Sequence, residues 1–160
     1  MRSIFLDCVE KSLKQYGFME NYNMDLAESI LFDQYQDQLI VLTSSELKLG
    51  IVLEKEQVQI LLTSVNSDEW FDLSSVTYLL SEGRDDWVFQ NLRSSPNPEI
   101  ITKRIGELMQ VFQKYYIQIV SFFTSNEEYD LRINTLKQSM DQRWRERRKK
   151  FEPKKRLLFF

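Results

Sequence analysis

Paired carboxylates are the side chains in this sequence that are best able to do chemistry. They form three groups: Asp68, Glu69 and Asp72; Asp85 and Asp86; and Glu127 and Glu128. Two carboxylates can hydrolyse a glycoside or bind a divalent metal when they converge from separate elements into environments that set their pKa values apart. Acids that are adjacent on one loop do not meet that condition. These groups therefore favour loop and helix-cap positions over a hydrolase site.

The residue types needed for other catalytic sites are scarce. The chain has no histidine, which excludes a Ser-His-Asp triad and removes the commonest general base and zinc ligand. Its one cysteine, Cys8, lies on the apolar stripe of a predicted helix, a position typical of the core. Its four glycines are dispersed and form no phosphate-binding loop. We therefore expect a protein that is not an enzyme, with no catalytic residue, metal site or cofactor.

Charge is divided unevenly along the chain. Residues 143–156 hold nine Lys and Arg against two Glu, a local charge of +7, so the other 146 residues carry −10. An acidic surface favours a basic protein partner, whereas a basic segment favours nucleic acid or an anionic membrane surface. The basic segment could instead remain solvated, as charge runs often do, or fold back and pair with acidic residues of the same chain.

Two sets of candidate binding residues follow from this division. The first set combines acids with two tryptophans as anchors for a protein partner: Asp68, Glu69, Trp70, Asp72, Asp85, Asp86 and Trp87. The alternative set combines cations that would contact phosphates with a ring that could stack on bases: Arg143, Trp144, Arg145, Arg147, Arg148, Lys149 and Lys150. The tryptophans could equally belong to the hydrophobic core.

Hydrophobic periodicity predicts the elements that would position these residues. It indicates a single α+β domain over 1–142, followed by a basic helix end and tail over 143–160. A first helix is predicted over 3–16, and alternating apolar residues over 26–65 predict four strands. The connections between these strands are too short for parallel crossovers, so we expect a four-stranded antiparallel meander covered by helices.

Cap residues mark the helices that follow the sheet. Asp72 is the predicted N-cap of a short helix that ends near Leu80. Asn97 followed by Pro98 predicts the start of a long helix over 98–122, in which apolar residues recur at spacings of three and four.

A second long helix is predicted over 126–150. Ser125 and Glu128 have the spacing of a capping box at its start. Its apolar face is formed by Tyr129, Ile133, Leu136, Met140 and Trp144. Pro153 should end this helix, since proline removes a helical hydrogen bond. Together with the helix over 98–122, it makes a long C-terminal helical hairpin.

The order of these elements resembles that of bacterial immunity proteins of polymorphic-toxin systems. The resemblance covers an N-terminal helix, a short antiparallel meander and the turn Trp70-Phe71-Asp72-Leu73 that leads into a helix. It implies a compact cytoplasmic chain that blocks a toxin by binding it. The charge of −10 outside 143–156 favours a basic toxin domain as that partner. A single cysteine and the lack of an uncharged apolar leader also favour the cytoplasm.

Overall fold

The computed structural model describes residues 4–32, 37–54, 57–87 and 97–158, with side chains for 4–27, 38–54, 57–87 and 97–149. The helices within these residues are α1 (Ile4–Gln15), α2 (Phe18–Asn21), α3 (Leu73–Leu80), α4 (Pro98–Lys114), α5 (Tyr116–Thr124) and α6 (Tyr129–Leu158). The strands are β1 (Asp25–Phe32), β2 (Asp37–Thr43), β3 (Leu47–Glu54), β4 (Gln57–Ser64) and β5 (Phe71–Asp72). The predicted α+β fold class is confirmed.

The strands form one antiparallel meander in the order β1-β2-β3-β4-β5. β1 to β4 correspond to the four predicted strands, but the predicted strand count is wrong because β5 adds a fifth. β5 pairs with β4 through Leu61 opposite Asp72 and Leu62 opposite Phe71. A strand of two residues is too short to show alternation in a sequence, which is why the periodicity missed it.

The sheet buries one face against helices. On that face, Ile40 lies opposite Ile51 and Leu49 lies opposite Leu62, and all four are at most 1% exposed. They share one core with apolar side chains of α1, α3, α4, α5 and α6. The alternate residues of β2, β3 and β4 point to the opposite side, which we call the outer face. Among the described residues, the core cluster beneath the helices contains none from the outer face, although Val41 on that face is also only 5% exposed.

The predicted N-caps Asp72 and Asn97 are confirmed. The Ser75 N–H donates to Asp72 Oδ2 at 3.0 Å at the start of α3. The Ile100 N–H donates to Asn97 Oδ1 at 2.9 Å at the start of α4. Gly17, after α1, has a φ of +58°, the left-handed conformation that favours glycine.

The predicted helix over 98–122 is two helices, α4 and α5. The break falls at Tyr115, whose φ of −107° and ψ of 9° leave the helical range. Tyr115 is buried, and its hydroxyl donates to Asp85 in the segment after α3. The apolar spacing continues through the break, so the sequence pattern alone could not reveal it.

The last helix also differs from its prediction. α6 begins at Tyr129 rather than at 126, because Glu128 has a φ of +58° and interrupts the predicted capping box. α6 continues to Leu158, so the prediction that Pro153 ends it is wrong. One proline removes a single backbone donor, and the hydrogen bonds of the flanking turns can hold the helix together.

Arg132 organises the turn between α5 and α6 in place of the capping box. Its Nε donates to the carbonyl oxygen of Phe122 at 3.0 Å. Its two terminal nitrogens donate to the carbonyl oxygens of Ser125 and Glu127. The last carbonyls of a helix lack partners within the helix, so one guanidinium here stabilises both the end of α5 and the turn that follows.

We predict that Arg132→Ala lowers the free energy of unfolding by about 1–3 kcal/mol, because three carbonyl oxygens lose a charged donor. Lys103→Ala is the control, since Lys103 is an exposed residue of α4. Urea denaturation followed by circular dichroism measures both variants. A destabilisation by Arg132→Ala no larger than that of the control would contradict this role.

Candidate functional site

The Asp72 carboxylate accepts several hydrogen bonds from its own chain. Its Oδ2 accepts from the Ser74 hydroxyl at 2.6 Å as well as from the Ser75 N–H, and its Oδ1 accepts from the Ser75 hydroxyl at 2.8 Å. A carboxylate at this position also interacts favourably with the positive end of the helix dipole of α3. The role of Asp72 is therefore that of a helix cap.

Asp85 connects the segment after α3 to the break between α4 and α5. Its carboxylate accepts from the Tyr115 hydroxyl and lies 3.2 Å from the ammonium group of Lys114. Both partners come from the long helical part of the chain, 29 and 30 residues further on. Asp85 thus contributes to holding α4 and α5 against α3.

Asp86 is the acceptor for two arginines of α6. Arg143 Nε and Nη2 both donate to Asp86 Oδ1, at 2.9 and 2.7 Å, and Arg147 Nη2 donates to the same oxygen at 2.6 Å. Arg143 is only 6% exposed. We call Asp86, Arg143 and Arg147 the clamp, because they join α6 to the segment after α3.

The remaining donors of Arg143 are also used within the chain. Nη2 donates to the carbonyl oxygen of Trp87 at 3.0 Å, and Nη1 donates to the Ser74 hydroxyl at 3.2 Å. The guanidinium carbon lies 5.0 Å from the centroid of the Tyr78 ring, within the range of a cation–π interaction. A buried guanidinium with this set of partners is a structural group.

The clamp determines the ionisation of Asp86. Burial raises the pKa of its carboxyl, but hydrogen bonds and charges from Arg143 and Arg147 outweigh burial and hold the pKa below the ordinary value of 3.8. Asp86 therefore stays ionised to lower pH in the folded chain than in the unfolded chain. Three predicted site residues, one acid from the first candidate set and two arginines from the second, thus meet inside the same molecule.

The two predicted tryptophan anchors lie in different places. Trp87 is half-buried beside the core, and its indole N–H donates to the Thr77 hydroxyl at 3.0 Å. Trp70 is half-buried on the outer face, over Gly50 of β3. A Cβ at Gly50 would lie in ordinary contact with Cζ3 of Trp70 at 3.4 Å and in a tight contact with Cδ1 of Leu39 at 3.1 Å, so the absence of a side chain leaves room for these neighbours over the sheet.

Apolar residues surround Trp70 on the outer face. Leu39, Val52 and Leu61 are each half-buried there. Register places them together, since Leu39 is opposite Val52 and Leu61 is opposite Gly50. We call these five residues the outer patch: Leu39, Gly50, Val52, Leu61 and Trp70. Sequence reasoning named only Trp70, although the continuous apolar run 39–42 is typical of a strand with both faces covered.

Asp68 and Glu69 lie beside the outer patch. The Asp68 side chain is fully exposed and lies 3.3 Å from the ammonium group of Lys48, which also lies 5.6 Å from the centroid of the Trp70 ring. The Glu69 side chain is half exposed and lies 2.6 Å from the ammonium group of Lys137 in α6. These exposed ion pairs contribute little to stability, so the acids remain available to a partner.

α6 places the members of the alternative, basic set on two different sides of the helix. Arg143 and Arg147 belong to the clamp, whereas Trp144, Arg145, Arg148 and Lys149 are exposed. The side chain of Lys150 lies outside the described residues. The prediction that Trp144 continues the apolar face is wrong: its side chain is 58% exposed. Arg143 takes the inward position after Met140 because Asp86 provides a carboxylate for it there.

Metal-holding clusters and membrane-spanning helices are both absent from the part of the chain that the structure describes. No three Cys, Asp or Glu side chains among them come close enough together to hold a metal ion. No helix in the described part of the chain combines the length and the apolar character needed to cross a bilayer. The groupings that remain are the clamp, the outer patch and the exposed cations of α6.

We predict that Asp86→Asn destabilises the protein at pH 7 and that this difference from the wild type shrinks as the pH falls below the ordinary pKa of 3.8. Because the folded pKa of Asp86 lies below 3.8, its contribution is fully present above that value. The contribution is lost as the pH falls through the folded pKa. Urea denaturation at pH 7, 4 and 3 measures the difference, with Asp68→Asn as the fully exposed control. A difference that does not change with pH would contradict the ionised clamp.

No protein-family model matches this chain, and no curated protein or solved structure is significantly similar to it. The resemblance to immunity proteins of polymorphic-toxin systems therefore stays a prediction. Any functional proposal therefore rests on the clamp, the outer patch and the exposed cations of α6.

Proposed function

We propose that this chain is a non-catalytic protein-binding protein that uses the outer patch, and that it acts in the cytoplasm as an immunity-type inhibitor of a basic toxin domain. The observation that supports this proposal best is the position of Trp70. Its indole lies over Gly50, among half-buried aliphatic side chains and on the side of the sheet away from the core.

The outer patch has the composition of a binding hot spot. Tryptophan is enriched among the residues that carry most of the binding energy of an interface, especially where aliphatic neighbours exclude water. Trp70 loses little conformational freedom on binding, because contact with the sheet already restricts its ring. A partner that covers the patch would finish burying side chains that folding leaves half-buried.

Acidic side chains around the outer patch determine the kind of partner. Asp68 and Glu69 precede Trp70, and Glu54 is an exposed residue of the outer face at the end of β3. Outside 143–156 the chain carries a net charge of −10. A basic protein surface would be attracted over a distance, and like-charged partners would be disfavoured.

The contacts of the other predicted acids narrow the candidate set. Asp72 caps α3, Asp85 contacts α4 and α5, and Asp86 belongs to the clamp. Replacing these three residues would disturb the fold whatever their role in binding. Asp68, Glu69 and Trp70 are therefore the members of the first set that we assign to the interface.

The proposal predicts that a basic toxin domain is encoded beside the gene for this chain, and that domain is the partner used in the test. Its complex with the wild-type protein is measured by isothermal titration calorimetry, and its association rate by stopped flow at several salt concentrations. We expect Trp70→Ala to weaken binding about 30-fold or more, as for a hot-spot residue. Val52→Lys, which keeps Trp70 but adds a charge to the patch, should also weaken binding.

Charge reversal distinguishes the effect of Asp68 and Glu69, which we call the acidic rim of the outer patch, from the effect of net charge. Asp68→Lys combined with Glu69→Lys should slow association, and the effect should shrink as salt is added. Glu127→Lys combined with Asp141→Lys makes the same change in net charge at two exposed positions away from the sheet. Equal slowing by both pairs, or unchanged affinity in folded Trp70→Ala and Val52→Lys variants, would overturn the assignment to the outer patch.

A further inference from the structure

α6 presents two different faces. Its inward side chains include Ile133, Leu136 and Arg143, which are at most 6% exposed. Its outward side chains near the end of the described region form what we call the basic face: Trp144, Arg145, Arg148 and Lys149. Residues three and four positions apart are neighbours on a helix surface, so the three cations and the tryptophan form one continuous face.

We propose that the basic face binds single-stranded nucleic acid, with its cations on the phosphates and Trp144 as a stacking surface for a base. This proposal concerns a different surface and a different class of partner from the outer patch, so it does not depend on the proposed inhibitor function.

The cations of the basic face are available for phosphates. No ion pair joins Arg145, Arg148 or Lys149 to another residue whose side chain is described. The nearby Asp86 already has two arginines against its single charge, so the clamp leaves an excess positive charge beside the basic face. Asp141 and Glu146 are exposed acids within one helical turn of Arg145 and Lys149, but among the described side chains no ion pair joins either of them to the basic face. Acids farther away are screened beyond a Debye length of about 8 Å at physiological salt.

Trp144 provides the stacking surface. It is 58% exposed, and the guanidinium of Arg148 lies 5.3 Å from its ring centroid. It also borders an open cleft of about 370 Å³ between α6 and the start of α3, which leaves room beside the ring. Stacking of a base on an aromatic side chain contributes about 1–3 kcal/mol and tolerates any base sequence.

The same face is poorly suited to a membrane. A helix that lies in a lipid interface needs a continuous apolar face on the side that enters the acyl chains. Among the α6 residues whose side chains are described, 129–149, the exposed large apolar ones are Leu131 and Trp144. These residues are 13 positions apart, roughly 20 Å along the helix axis. A cationic face with one exposed ring therefore fits a phosphate backbone better than a bilayer.

The test uses the full chain and a fluorescein-labelled, 15-nucleotide single-stranded RNA, with binding followed by fluorescence anisotropy. Trp144→Ala should weaken binding about 5- to 150-fold, the loss of one stacked base. Arg145→Glu, Arg148→Glu and Lys149→Glu combined should weaken it at least tenfold. The slope of log K against log salt should become shallower by about 2, since each phosphate contact contributes about 0.7 for single strands.

The matched control places the same charge change elsewhere. Lys11→Glu, Lys14→Glu and Lys103→Glu combined alter three exposed lysines of α1 and α4. This triple variant should keep the wild-type salt slope and most of the affinity. Circular dichroism confirms that each variant is folded.

Three results would overturn the proposal. The first is an equal loss of RNA affinity in the two triple variants, which would mean that only net charge matters. The second is wild-type RNA affinity in the folded Trp144→Ala variant. The third is binding to vesicles that contain phosphatidylserine, with a blue shift of tryptophan fluorescence, by a protein that does not bind the RNA.

Discussion

A buried guanidinium must find acceptors inside the fold, and Arg143 finds them around α3. Its donors reach Asp86 and the carbonyl oxygen of Trp87 after the end of α3, and the Ser74 hydroxyl at its start. The position of α6 depends on this arrangement, because removing the Asp86 carboxylate would leave the buried guanidinium of Arg143 without its counter-charge. Apolar contacts of Ile133 and Leu136 add to it, but they do not by themselves specify which residue of α6 faces Asp86.

The clamp also gives the two charged parts of the chain separate roles. It uses one acid and two arginines that the charge pattern had assigned to opposite binding surfaces. What remains exposed is an acidic rim beside the outer patch and a cationic face on α6. A molecule with a net charge of only −3 thereby presents two surfaces of opposite sign, each suited to a different class of partner.

Local signals in the sequence predicted much of the fold. Short apolar runs mark strands β1 to β4, alternating in β3 and β4 and continuous over 39–42 in β2. Asp72 and Asn97 act as caps through side-chain bonds to residues three positions later. Features that depend on distant partners were missed. The break at Tyr115 reflects its bond to Asp85, 30 residues earlier, and the inward position of Arg143 reflects Asp86, 57 residues earlier. Periodicity could not choose between Arg143 and Trp144, since spacings of three and four after Met140 both continue a helical stripe.

A double-mutant cycle between Asp86 and Arg143 tests the clamp most directly. The free energy of unfolding is measured at pH 7 for the wild type, Asp86→Ala, Arg143→Ala and the double variant. If the clamp positions α6, the sum of the stability losses of the two single variants should exceed the loss of the double variant. The difference, which is the coupling energy, should be about 1–3 kcal/mol. Additive losses, with a coupling energy below about 0.3 kcal/mol, would show that α6 docks without this interaction and would contradict the account.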